Sequence, residues 1–167
     1  MKTKKLLYSA VIAAIYVVLT YIASLMGLSS GAVQLRFSEA LTILPIFIPE
    51  AVYGVFIGCV ISNLLTGSII WDIIFGSLAT LIAAILTRKF RKNIPLAFSF
   101  PIIMNTLVVP PIVYFLYRAE GTLILTYFTV FLGEFISVCV FGTILYKSLI
   151  KTKIFGGEIY GSKNNKL

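Results

Sequence analysis

Apolar positions in this chain come in long runs, without strand alternation or the narrow stripe of a soluble helix. The first run spans Leu6 to Met26, behind Lys2, Lys4 and Lys5, and Gly27 to Gly31 breaks it. It is too long for a signal-peptide core and lacks a clean A-x-A site, so it reads as a spanning helix. Asp72 to Thr87 forms another run, closed by Arg88, Lys89, Arg91 and Lys92. Ile94 to Tyr117 follows, interrupted by Pro101, Pro110 and Pro111, and then Thr122 to Tyr146. The ambiguous stretch is Leu35 to Leu65, which carries Pro45, Pro49 and Glu50. As one helix at 1.5 Å per residue it would reach about 46 Å, too long for one crossing and short of two full ones. Pro49 pushes Ile48 out of the helical region, so two short helices with a turn at Pro49-Glu50 are predicted. The expected fold is all-α, a polytopic membrane protein of six transmembrane helices. Their approximate ranges are 6–26, 36–48, 50–66, 71–88, 94–117 and 122–146. They form a single transmembrane domain over 1–150, with a basic cytoplasmic tail over 151–167.

The placement of Lys and Arg supports six crossings. With the N-terminus in the cytoplasm and six spans, every Lys and Arg falls inside except Arg36 and Arg118. Merging Leu35–Leu65 into one span reverses everything after it and leaves only Lys2, Lys4, Lys5 and Arg118 inside. Both termini are therefore expected in the cytoplasm, and the protein in the cell (plasma) membrane as a multi-pass chain. Composition agrees: 59% of residues are hydrophobic, 12% are charged and the mean hydropathy is +1.02, against about 25% charged in soluble domains. The net charge of +8 sits in short clusters between apolar runs, which argues for membrane orientation and against nucleic-acid binding. In 167 residues, six spans leave no room for a nucleotide-hydrolysing module, and no GxxxxGK[ST] string occurs. Histidine is absent, and Cys59 and Cys139 lie in apolar runs. No metal site, cofactor, disulfide framework or enzymatic reaction is expected.

Charged or amide side chains inside a span are costly and call for a reason. The candidates are Arg36, Glu39, Asn63, Asp72, Asn105 and Glu134. The expected topology puts Arg36, Glu39, Asn63 and Asp72 at the outer face, with Asn105 and Glu134 near mid-depth. Together they outline a pocket that opens outward and is floored by Asn105 and Glu134. Simpler roles exist for most of them. Arg36 and Glu39, three apart, could pair with each other. Asp72 could cap a helix N-terminus, Asn63 could end a helix, and Asn105 could bridge helices. Glu134 has no basic residue within a turn and stands deepest. Tyr127, two turns before it on the same face, could stack on a flat ligand or anchor at the lipid interface, where Trp71 and Tyr117 also fit. Small residues recur at helical spacing: Ala10 and Ala14 with Ala13 on the first span, Gly54, Gly58 and Ser62 on the third, and Gly76, Thr80 and Ala84 on the fourth. Internal packing accounts for the last two sets.

The string Gln34-Leu-Arg-Phe-Ser-Glu-Ala-Leu-Thr42 with Leu44-Pro45 resembles the QueT family of substrate-binding S components of energy-coupling factor (ECF) transporters. So do Gly58-Cys59, Ser62-Asn63-Leu64-Leu65 and the segment from Asp72 to Leu81. Asn105 and Gly133-Glu134 continue the likeness, which covers roughly residues 5 to 150. The resemblance implies uptake of a queuosine precursor or related 7-deazaguanine compound. It also implies a transmembrane T component that contacts Ala10 and Ala14, and two cytoplasmic ATPase subunits in trans. A carboxylate suits the paired N–H donors of such a ring, with Glu134 first and Asp72 or Glu39 behind it. Asn105 or Asn63 can donate to the ring carbonyl. The alternatives are an S component for another small vitamin-like substrate, a stand-alone proton-coupled transporter using Glu134 or Glu39, and an assembly protein without ligand.

Overall fold

In the computed structural model, residues 2–28, 35–118 and 121–152 are described; Gln34 and the tail from residue 153 lie outside them. The described residues are helical, with no strand among them. Helix α1 is Lys2–Leu25, and α2 is Phe37–Ile46, a 3-10 helix. Helix α3 is Ala51–Leu65. Helix α4, residues 70–89, carries a π-helical turn at Asp72–Gly76 near its start. Helix α5 is Ile94–Phe115. Helix α6, Leu123–Lys151, contains a π-helical segment at Ile136–Phe141. In length and composition, α1 from Thr3, α5 and α6 can each cross a membrane, while α2 and α3 are shorter apolar helices. The exterior carries the large apolar side chains, such as Leu6, Val18, Ile57, Leu107, Ile124 and Phe128, so the outward face of this membrane protein is lipid-like.

Helix α2 is the axis of the fold, and all five other helices pack against it. Ser38 through Ile46 are all buried. Its Leu41 and Leu44 join a cluster with Ile12, Tyr16, Val55, Cys59 and Ala84. Its Ile43 and Ile46 join a second cluster with Phe47, Phe98, Ile102 and Val138. The sequence reading expected an ordinary short span here. Pro45 removes one backbone donor and its ring crowds the carbonyl four residues back. After it the Phe47 amide makes a tight i→i−3 bond to Leu44 O at 2.9 Å, an oxygen it shares with the i→i−4 bond from Ile48, and Thr42 Oγ1 donates back to Glu39 O at 2.6 Å. Such backbone is tolerated at membrane depth because protein surrounds it.

Side-chain bonds mark two ends of the bundle. At one end Lys5 pairs with Glu50 at 3.4 Å, Ser9 Oγ donates to Glu50 O at 2.9 Å, and Arg88 Nη1 donates to Pro45 O and Ile46 O at 3.1 and 3.2 Å. At the other end Arg36 meets Asp72, and Tyr117 joins Asp72 to the Ile69 amide. The turn at Pro49-Glu50 thus lies beside the start of α1, and α2 and α3 run in opposite directions between the two ends.

Helices α1 and α3 touch through glycine. A methyl on Gly54 would lie 2.8 Å from Ile12 Cβ and 2.9 Å from Ser9 O; on Gly58 it would lie 2.7 Å from Tyr16 Cβ and 3.1 Å from Ala13 O. The small residues of α3 therefore serve close helix approach. On α1 the partners are Ser9, Ile12, Ala13 and Tyr16, whereas Ala10 and Ala14 are exposed on the opposite side.

Candidate functional site

Helix α2 is buried from Ser38 to Ile46, and this packing carries its acid into the bundle. Glu39 is 1% exposed, and its Oε2 accepts from Asn105 Nδ2 of α5 at 3.3 Å. Glu39 is therefore not a mouth residue, as its place early in the second span suggested, but stands level with Asn105. Its other oxygen accepts from Tyr16 Oη of α1 at 2.5 Å. Glu134 of α6, 7% exposed, completes the group, with Glu39, Asn105 and Arg36 as the polar neighbours around it.

These residues line one cavity: Arg36, Glu39, Asn105 and Glu134 form its polar wall, and Cys59, Gly76, Thr80, Val109 and Val130 form the rest. Its empty volume is about 340 Å³ counted out to the mouth, but the interior has room for little more than one water. Arg36 does not take Glu39 as an i,i+3 partner. Its Nη2 lies 3.7 Å from Asp72 Oδ2, an ion pair between side chains that are 19% and 4% exposed. Asp72 is thus an ion-pair partner bridging α2 and α4 and also accepts from Tyr117 Oη at 3.3 Å. Helix α4 already begins before it, so the simple capping role does not describe it. Gly76 leaves the space Asp72 occupies, since a methyl there would lie 2.9 Å from Asp72 Oδ1.

The cavity is short of donors. Glu134 Oε2 and Asp72 Oδ1 are buried and have no hydrogen-bond partner among the described residues. Buried acceptors without partners are rare and costly. Arg36, Glu39, Asn105 and Glu134, all singled out in the sequence, come together, with Asp72 joined through Arg36. Asn63 does not join them: its Nδ2 is turned toward Cys59 Sγ at 3.6 Å. Tyr127 is half-buried and outside the lining; it shares the face of Val130 and Glu134 but stands one turn before Val130. Tyr16 escaped the sequence reading. Its signal was a hydroxyl in the middle of an apolar run; the structure leaves it 1% exposed, and a buried tyrosine needs a partner for its O–H. Tyr117, which fits the lipid interface, is 42% exposed and also donates its hydroxyl to Asp72.

Irregular backbone borders the site on three helices. Helix α2 is 3-10 throughout, the π-helical turn of α4 holds Asp72 and Gly76, and that of α6 starts two residues after Glu134. Such π-helical insertions cluster at functional sites.

A family model described as QueT transporter matches residues 6–151. The protein named Queuosine precursor transporter QueT, from Lactococcus lactis subsp. cremoris (strain MG1363), is 34% identical over 158 residues, covering 87% of this chain and 92% of that protein. No solved structure matches the chain.

Proposed function

Because the chain belongs to the QueT transporter family, and so is a membrane transport protein and not an enzyme, we propose that it is the substrate-binding S component of an ATP-driven ECF importer for a queuosine precursor. In this reading six helices cross the plasma membrane and both termini are cytoplasmic. The cavity lined by Arg36, Glu39, Asn105 and Glu134 receives a 7-deazaguanine ring. The observation that carries the reading is the buried, unpartnered Glu134 Oε2 beside the Asn105 amide. The ring's N1–H and exocyclic amine are adjacent donors that fit a carboxylate side by side. The Asn105 amide lies between the two acids, donating to Glu39 and hydrogen-bonded to Glu134, and in this reading an N–H turns to the ring carbonyl when the ring edge takes its place on Glu134. Admitting a bicyclic ring requires the cavity to widen, and the irregular segments of α2, α4 and α6 give its walls the places to do so.

The exposed Ala10 and Ala14 of α1 serve as the contact to a transmembrane T component, which couples the chain to two cytoplasmic ATPase subunits. They point away from Tyr16 and hence from the cavity. Ala14→Trp is expected to block coupled uptake while leaving ligand binding intact. The test of the function is thermal unfolding of the purified protein against deazaguanines, guanine and vitamins. Stabilisation confined to the deazaguanines is expected; no shift with any deazaguanine overturns the proposal.

A further inference from the structure

Three walls of the cavity climb toward the end of the bundle that lies away from Lys5 and Glu50. On α4 the wall is Thr80 and Gly76, and Asp72 lies over Gly76, with Oδ1 beside the place a methyl there would take. On α5, Asn105 and Val109 are followed at the same spacing by Val113, and the chain then leads to Tyr117. On α2, Arg36 comes three residues before Glu39. The three uppermost residues are joined across the helices. Arg36 Nη2 lies 3.7 Å from Asp72 Oδ2, and Tyr117 Oη donates to that same oxygen at 3.3 Å while accepting from the Ile69 amide at 2.9 Å. Below them the interior has room for little more than one water. A ring can enter only if the walls part, and these contacts tie three of the walls together. Resting on the ring-binding reading above, we propose that Arg36, Asp72 and Tyr117 form a latch over the cavity, whose opening sets how fast a ligand enters and leaves but not how tightly it is held.

The latch is suited to opening. At 3.7 Å its ion pair is loose, against about 2.7–2.9 Å for a strong charge-assisted bond. Arg36 also does not depend on Asp72 alone, because its charge acts on Glu39 and Glu134 beneath it. A guanidinium that leaves Asp72 therefore moves in the field of two other carboxylates and is not left as a lone buried charge, the costly outcome. Asp72 in turn keeps Tyr117 as a donor. The π-helical turn that carries Asp72 and Gly76 gives α4 a place to yield. A contact made over the empty cavity and remade over the occupied one stabilises both states alike. It cancels from the affinity, since only a difference between two states shifts their equilibrium, and it remains in the barrier between them.

Surface plasmon resonance on the full chain in detergent, with 7-deazaguanine as the probe, reads the two rate constants, and calorimetry reads the dissociation constant. Asp72→Asn removes the charge that holds Arg36 and keeps an acceptor for Tyr117. Its association and dissociation rate constants are both expected to rise about tenfold, with the dissociation constant within about threefold of the original. Tyr117→Phe removes the hydroxyl from the same chain of contacts, and both rate constants are expected to rise about threefold. This second variant carries the test if Asp72→Asn does not fold. A residue that only braces the fold lowers stability and does not speed both rates at constant affinity. Unchanged rates in both variants, or faster dissociation alone with an equal loss of affinity, overturn the latch and leave the ring-binding reading standing. Failure of the probe to bind the unaltered protein overturns the proposed function itself, and this inference with it.

Discussion

Two arginines serve the two ends of α2, and their surroundings differ in one respect. Arg88 meets the last carbonyls of the helix, donating to Pro45 O and Ile46 O. Those carbonyls end a helix and need donors, and a planar guanidinium supplies several in fixed geometry. Donors and acceptors match there. At the other end, Arg36 faces three carboxylates and pairs with one. Acceptors remain over, among them Glu134 Oε2 and Asp72 Oδ1. Helix α2 joins a closed polar contact to an open one within ten residues. Both ends put charge into an apolar bundle, and only the unmatched end has something left for a ligand. In a membrane interior, then, the surplus of acceptors over donors, rather than the presence of a charge, separates a site from a structural contact.

If that contrast is right, removing Arg88 injures the fold and not the recognition. Arg88→Ala strands two carbonyls and is expected to cost about 2–5 kcal/mol of stability, from lost charge-assisted bonds and unpaired acceptors. Unfolding in detergent measures it. The protein that remains folded is expected to bind ligand with unchanged affinity, and a parallel loss of affinity breaks the comparison. Overpacking α1 against α3 comes next. Gly58→Val places side-chain atoms where Tyr16 Cβ and Ala13 O already are, with an expected cost of about 1–3 kcal/mol in the same assay. Tyr16 also holds Glu39, so this variant is expected to lower ligand affinity too, which Arg88→Ala does not. The smallest effect belongs to Tyr117→Phe at the rim. It removes one donor to Asp72 and the acceptor for the Ile69 amide, for about 1 kcal/mol in stability. Ligand titration of that variant is expected to show a change of less than about threefold.

The all-helical membrane class was legible because hydropathy integrates over long runs, and the family was legible in the strings around Arg36, Glu39 and Asp72. The backbone type of α2 was not. Hydropathy reports only that Leu41–Ile46 is largely apolar, whereas helix type depends on which amide donates to which carbonyl. The depth of Glu39 was not legible because it depends on how α2 packs against α1 and α5, which brings Glu39 to Tyr16 and Asn105. The pairing of Arg36 was hidden for a related reason. Glu39 is three residues away in sequence, yet Asp72, 36 residues away, is brought alongside by the packing of α2 on α4. Tyr127 shares the face of Val130 and Glu134, as periodicity gave, but periodicity does not report how far along α6 the cavity extends. Tyr16 carries no charge, so a search for charged and amide groups within spans passed over it.

The claim that surplus acceptors make the site is tested most directly at Glu134. Glu134→Gln preserves size but turns one acceptor oxygen into a donor, facing the ring's own donors. Calorimetric titration with a deazaguanine ligand, alongside thermal unfolding of the empty protein, separates the two consequences. Affinity is expected to fall by about 30-fold or more, corresponding to about 2–5 kcal/mol for disrupting a buried charge-assisted contact. The empty protein is expected to be at least as stable, because a buried carboxylate with one unpartnered oxygen has been removed. Unchanged affinity in Glu134→Gln, or a loss of affinity matched by a loss of stability, would contradict the account.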